Sequence, residues 1–320
     1  MSRNLALDYL RLFLAFIVVA MHEGFLHETS AVAEFLTAQG LFKLAVPIFL
    51  LINGYFFYTA CESGKALAWL RRLLLIYTVW MAIYGMAWVT IAEGPFVAGY
   101  RNLFRFFIGY YHLWYIAGLL SAGVLLFLLR HAGTKLLLLL SVSLFVFGVL
   151  ADYCAIYSLT GNASIDTFFY ESWTHRNFLF LCFPFLCWGF LFNKLKIPGT
   201  ISRSTAFSLA LAGVALLLAE SWLNLHAGGM PKYDGGFDNL LFVAVAAPAI
   251  FLLVMTFTAT GNTHHLSSMA AGIYLLHPNI GLMLEMFLPN GTVLTLAVFA
   301  VTSVFAWLLI IVNKKLPYLL

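Results

Sequence analysis

Long apolar runs dominate this 320-residue chain, and short polar or basic clusters separate them at fairly regular intervals. A helix needs about 20 predominantly apolar residues to cross the hydrocarbon of a bilayer. Ten segments qualify, near residues 5–25, 40–60, 73–92, 112–130, 135–154, 177–193, 204–223, 239–260, 268–288 and 291–312. The runs are continuous and do not alternate, which excludes a barrel of strands. The pattern predicts an all-α, polytopic membrane protein of about ten transmembrane helices, with residues 1–320 forming a single integral-membrane domain. The first segment carries Asp8 and Arg11 and has no small-x-small exit before Glu23, so it reads as a span and not as a cleaved leader. Residues 96–111, FVAGYRNLFRFFIGYY, set two arginines among many rings and read as an interfacial helix. Neither an internal repeat nor an appended soluble domain is expected.

Composition agrees. Hydrophobic residues make up 63% and charged residues 9% of the chain, against roughly 45–50% and 25% in an ordinary soluble domain. A soluble fold of this length could not cover its surface with 17 basic and 13 acidic side chains. With a mean hydropathy of +0.95, this excludes a secreted enzyme, a cytosolic dinucleotide-binding protein and a disordered scaffold. Loop charges then orient the chain, because Lys and Arg favour the cytoplasmic side. With the N-terminus inside, the inner side holds Arg3, Lys65, Arg71, Arg72, Arg130, Lys135, Lys194, Lys196, Arg203, Lys314 and Lys315. The outer loops hold only Arg101, Arg105, Arg176 and Lys232, together with the acids Glu28, Glu34, Glu93, Asp166, Glu171, Asp234 and Asp238. This bias predicts a multi-pass protein of the cell membrane (inner or plasma) with both termini cytoplasmic. The net charge of +4 is thus one-sided and gives no reason to expect a nucleic-acid partner. Cys61, Cys154, Cys182 and Cys187 have neither metal-ligand nor disulfide spacing and read as small apolar fillers, and no metal is expected.

Ionisable groups inside a bilayer cost about 2.5–3.5 kcal/mol or more at a helix centre unless paired, so they are the candidates for chemistry. The first segment carries Asp8, Arg11 and His22. Arg11 and His22 are eleven residues apart, which returns to within about 20° and places both on one helix face, roughly 16 Å apart along the axis. Asp8 precedes Arg11 by one turn and can pair with it. The alternatives are a snorkelling ion pair and an interfacial histidine. In the second segment Lys43 falls at a depth like that of His22, and Asn53 at a depth like that of Arg11, which points to a shared cavity. Lys43 reaching lipid phosphate, and Asn53-Gly54 acting as a helix-packing notch, are the competing readings. Glu220 and Glu285 lie near span ends and either line a polar pocket or reach headgroups. His112 and Trp114 form an aromatic belt or a substrate wall. His277 precedes Pro278, which frees a backbone carbonyl one turn earlier, and His277 can act as its partner. The loop GNTHHLSS (261–268) is a plain turn or a ligand contact.

Six segments carry a resemblance. LDYLRLFLAFIVVAMH (7–22) is similar to the opening Asp-x-x-Arg and Arg-x10-His pattern of the acyltransferase 3 family, integral-membrane enzymes that acylate cell-surface polysaccharides and related glycans. VPIFLLINGYFFY (46–58) resembles that family's second span, with Asn53 where Ser is frequent and Ile48 where Phe is. RRLLLIY (71–77), HLWYIAGLL (112–120), FPFLCWGFLF (183–192) and GIYLLHP (272–278) follow in the family's order. The extra outer hydrolase-like domain of some relatives is not expected.

The resemblance implies transfer of an acyl group, usually acetyl from acetyl-CoA, to a hydroxyl of a cell-surface or lipid-linked sugar. The family's functional arginine and histidine fall on Arg11 and His22. A neutral imidazole can take the hydroxyl proton or carry the acyl group transiently, and Arg11, held by Asp8, would stabilise developing charge. Arg11, Asn53, Arg71 and Arg72 are the donor-side candidates, although positive-inside topology alone also accounts for Arg71 and Arg72. Lys43, His112, Trp114, Glu220 and His277 are the acceptor-side candidates. The expected partners are the acyl-CoA donor, the glycan acceptor and the bilayer. The rival readings are a transporter or flippase of a glycolipid or small polar solute, and a sugar sensor without activity.

Overall fold

A computed structural model describes residues 3–91, 94–227, 236–261 and 264–320. In chain order the helices are α1 (Leu5–His22), α2 (Ala31–Ala38), α3 (Ala45–Glu62), α4 (Ala66–Ile83), α5 (Gly85–Trp88), α6 (Pro95–Ile108), α7 (Trp114–Leu129), α8 (Thr134–Tyr157), α9 (Ala163–Tyr170), α10 (Ser172–His175), α11 (Phe183–Lys194), α12 (Arg203–His226), α13 (Val243–Met255), α14 (His265–Leu284) and α15 (Thr292–Asn313). A π-turn, Phe178–Cys182, leads into α11. Two-residue strands β1 (Arg3–Asn4) and β2 (Thr260–Gly261) pair antiparallel, and the Asn4 side chain caps α1. This short bridge is the one departure from an all-helical fold among the described residues.

Each of the ten apolar segments contains a helix. Among the described residues, seven stretches are long and apolar enough to cross a membrane: Leu5–His22, Ala31–Glu62, Ala66–Ile83, Tyr111–Leu129, Thr134–Tyr157, Arg203–His226 and Thr292–Asn313. Phe178–Lys194 and Val243–Met255 are apolar but shorter, and α14 is diluted by His277, Pro278 and Asn279. The third boundary moves most, from 73–92 to Ala66–Ile83. Arg71 and Arg72 therefore sit inside α4, where arginine is a good helix former and its stem lies along apolar surface. The interfacial segment is helical as α6. Lys232, Asp234, Glu93 and positions 262 and 263 of the 261–268 loop lie outside the described residues.

Large apolar side chains cover the outside, including Leu139 and Leu150 on α8 and Val304 and Trp307 on α15. A contiguous apolar surface of this kind requires lipid as its solvent, so the chain is an integral, multi-pass membrane protein. Inside, helices touch through small residues, as expected where burial alone gives no drive between spans. A Cβ on Gly54 of α3 would lie 1.9 Å from the Leu186 carbonyl oxygen, and one on Gly189 of α11 would lie 2.1 Å from that of Leu51. Gly213 meets Ala246 across α12 and α13 in the same way, and Gly272 meets Ala306 across α14 and α15. Backbone cannot yield as a side chain does, so Gly189→Val is expected to cost more than the ~1–3 kcal/mol of ordinary overpacking. Loss of monodisperse protein in detergent, with Ser121→Ala behaving as wild type, checks this.

Candidate functional site

α1 contributes to two cavities on one side of its length. Near its C-terminal end, a pocket of about 70 Å³ is lined by residues that include His22, Lys43, His112, Trp114, Arg176 and Asp238. Toward its N-terminal end, a cavity of about 330 Å³ is lined by Arg11, Asn53, Leu73, Ile76, Ser267 and Leu320, among others. Tyr115 and Tyr274 line both cavities. Their rings meet edge to face at 5.6 Å between centroids and form the wall between the two. Asn53 Nδ2 donates to the Tyr115 hydroxyl at 3.0 Å, and the Tyr274 hydroxyl donates to the His112 carbonyl.

The lower cavity draws on α1, α3, α4, α7 and α14. Arg11 donates to Asp8 at 2.9 Å and lies over the Phe56 ring, 5.4 Å from its centroid. Asp8 is fully buried. Asn53 and Gly54 divide their work: Asn53 faces the cavity while Gly54 is the packing notch against α11. Arg71 and Arg72 do not line this cavity; Arg71 is exposed, and Arg72 donates to the Leu320 carbonyl at 2.9 Å.

Three histidine rings cluster at the upper pocket, two of them, His22 and His112, on its lining. His22 lies 5.3 Å from His277, and His112 lies 5.5 Å from His277, between ring centroids. Tyr111 hydrogen-bonds His22 Nδ1 at 3.1 Å. Pro278 has no N–H for the Tyr274 carbonyl one turn earlier. His277 Nδ1 lies 2.8 Å from that oxygen, and since a carbonyl only accepts, the proton sits on Nδ1. His277 Nε2 is then a bare acceptor, buried without a hydrogen-bond partner, and both nitrogens of buried His112 are also without one. His277 touches both rings but does not line the pocket itself. The burial of His112 removes the aromatic-belt reading for that residue.

A buried ionic cluster forms the opposite wall. Asp238 is its hub, 3.0 Å from Arg176 NH1, 3.3 Å from His175 Nε2 and 3.7 Å from Lys43 Nζ. His175 also approaches Asp152 at 3.5 Å, and Asp152 accepts the backbone N–H groups of Asp238 and Asn239. Lys43 is thus paired inside the protein and does not reach for headgroups. Burial works to raise Asp238, but Arg176, the His175 hydrogen bond and Lys43 outweigh it and hold the carboxyl well below the usual carboxylate range. Burial works to lower His175, and Asp238 and Asp152 reverse this and raise it. Sequence reasoning did not single out Asp152, His175 or Asp238 as a unit, since each reads separately as a loop or helix-end charge.

Glu220 is corrected. Its carboxylate accepts the Tyr153 hydroxyl at 2.7 Å and the N–H groups of Leu241 and Phe242 at 2.7 and 2.9 Å, at the start of α13. Those donors consume its acceptors at a helix N-terminus, and it lines neither cavity. Glu285 is exposed. All four cysteines are free, and among the described residues no group of three His, Cys, Asp or Glu is placed to hold a metal ion.

Next to His22, buried Glu23 has an oxygen without a hydrogen-bond partner. Burial, reinforced by Glu285, pushes its carboxyl up to about 7 from 4.5. The folded state therefore holds this proton more tightly than the unfolded chain, so the stabilisation is complete below pH 4.5 and lost as pH rises to about 7. The thermal midpoint is expected to fall across that window, and Glu23→Gln to remove this part of the fall.

The family model described as "Acyltransferase domain" matches residues 4–312. Two similar proteins are a "Serine/alanine racemase" of Enterococcus gallinarum, 26% identical over 86% of this chain and 40% of its own length, and an "Amino-acid racemase" of Enterococcus faecalis, 24% identical over 97% and 46%. The chain thus spans less than half the length of these curated relatives. No solved structure matches it. The match over nearly the whole chain places this protein in the acyltransferase 3 family.

Proposed function

We propose that this protein is a membrane O-acyltransferase that moves an acyl group, acetyl in the simplest case, from acyl-CoA to a sugar hydroxyl of a cell-surface or lipid-linked glycan. The observation that carries this reading is the pair of cavities meeting at Tyr115 and Tyr274, with Arg11 and Asn53 on one side and His22 on the other. In this reading ten helices span the membrane, both termini are cytoplasmic, and the Arg11 cavity opens inward. A cavity of about 330 Å³ suits the thioester end and flexible arm of the donor, with the nucleotide left at the inner surface. His22 takes the proton as the hydroxyl oxygen attacks the thioester carbonyl. The carbon–sulfur bond breaks, and the thiolate leaves with a proton returned by His22. Arg11, fixed by Asp8, offsets negative charge on the carbonyl oxygen.

Membranes carrying the chain, supplied with carbon-labelled acetyl-CoA on the cytoplasmic side, are expected to place label in a glycan or glycolipid fraction and release free CoA. A second reading is transport of a small zwitterion. The names of the two racemases and the mixed charges of the upper pocket favour it. Accumulation of labelled serine in vesicles without thiol release would establish that reading instead.

A further inference from the structure

A third cavity, of about 680 Å³, lies beside the upper pocket and shares Trp114 and Arg176 with it. Its walls are rings from four elements: Phe104 and Phe107 of α6, Phe147 of α8, Phe168 of α9, and Trp173 of α10. Phe104 and Phe168 both contact Trp173 edge to face. The floor is one face of α7, where Trp114, Ala117, Gly118 and Ser121 follow helical spacing, so the cleft extends roughly 10 Å along that helix. Several of its rings remain exposed in the folded chain, Phe107 at 70% and Phe168 at 51%.

The chemistry changes at the shared rim. The Arg176 guanidinium stacks over the Trp114 indole at 4.9 Å and is 32% exposed. Asp238 is its only hydrogen-bond partner among the described residues, although a guanidinium carries five donors. Lys43 and Arg176 are two cations set against the single carboxylate of Asp238 on the pocket wall. An apolar cleft that ends at a positively biased rim, next to His22, is complementary to an amphiphile with a hydrocarbon tail and an anionic head.

We infer that this cleft holds the hydrocarbon tail of a lipid-phosphate-linked sugar, with the phosphate at Arg176 and Lys43 and a sugar hydroxyl presented to His22. This rests on the acyltransferase reading and names its acceptor as a membrane lipid, not a finished polysaccharide. The alternative occupant, bulk phospholipid, is an outcome of the test.

The test uses the purified full chain in detergent, with a long-chain polyprenyl phosphate as probe and the corresponding polyprenol and phosphatidylglycerol as comparisons, retention being read by native mass spectrometry. The polyprenyl phosphate is expected to be retained about tenfold or more over polyprenol, as a charge-assisted contact provides. Arg176→Gln should erase that preference. Ser121→Trp should fill the floor and abolish retention of both prenyl probes while acetyl-CoA binding and elution volume stay as in wild type. Equal retention of phosphatidylglycerol, or undiminished retention by Ser121→Trp, would overturn the assignment even with Arg176→Gln unfolded. Acetyl-CoA binding without lipid retention would sink the cleft and leave the acyltransferase reading; lipid retention without acetyl-CoA binding would do the reverse.

Discussion

Replacing His22 with alanine is expected to abolish acyl transfer while the protein stays folded and inserted. A positioned acid–base side chain contributes typically 10²–10⁴-fold, and His22 is the half-buried imidazole on the pocket lining, whereas the other lining imidazole, His112, is buried. His277 has an unpaired Nε2, but that nitrogen is buried and the residue does not line the pocket. The structural cost of the change is small, because His22 is only half-buried and its recorded hydrogen bond is to the Tyr111 hydroxyl. His22→Gln keeps much of that polar contact without the titrating ring and should be equally inactive. Label transfer in membranes, with elution in detergent as the folding control, measures both variants. Near-normal transfer by His22→Ala would remove the residue from the mechanism.

Asp238→Ala is expected to have the largest effect on stability. It removes the carboxylate that Arg176, His175 and Lys43 share and leaves the buried Lys43 and His175 and the partly exposed Arg176 without it. Breaking a buried ion pair from one side costs about 3–5 kcal/mol, a large part of the roughly 5–15 kcal/mol that holds a domain folded. The pH dependence separates the partners. Asp238 has a depressed folded value, so its contribution is present above its unfolded value near 3.9 and is lost only as pH falls through the lower folded one. His175 is raised, so its contribution is complete below about 6.5 and fades as pH rises through the folded value. The wild-type cluster should therefore be tightest between those limits, and Asp238→Asn should flatten the alkaline side. Thermal unfolding in detergent across pH measures this, and a midpoint within 1–2 °C of wild type for Asp238→Ala (roughly 1 kcal/mol or less) would contradict it.

Much of this architecture is legible in the amino-acid order. Continuous apolar runs define helices because a bilayer leaves the backbone no other partner, and the eleven-residue interval between Arg11 and His22 places both on the cavity side of α1. Depth matching also brought Lys43 to His22 and Asn53 to Arg11, since adjacent antiparallel helices rise equally per residue. The partners of those residues were not legible. Asp238, His175 and Asp152 come from three separate elements, and only tertiary packing joins them. Glu220 misled for the same reason: a carboxylate near a span end looks alike whether it meets headgroups or caps the start of α13. Arg71 and Arg72 satisfied the charge rule for cytoplasmic ends, but that rule carries no information about which cavity a side chain faces. The Tyr115–Tyr274 wall went unseen because tyrosine is ordinary in membrane helices and its place emerges only when α7 meets α14.

The central claim is that an acyl-CoA enters the Arg11 cavity, and binding tests it without knowledge of the acceptor. Calorimetry on the purified, detergent-solubilised chain should detect acetyl-CoA in preference to CoA and ATP, with affinity reduced about tenfold or more by Arg11→Ala, the scale of a lost charge-assisted contact. A folded wild-type chain that binds none of the three, or binds acetyl-CoA as tightly after Arg11→Ala, would contradict the account.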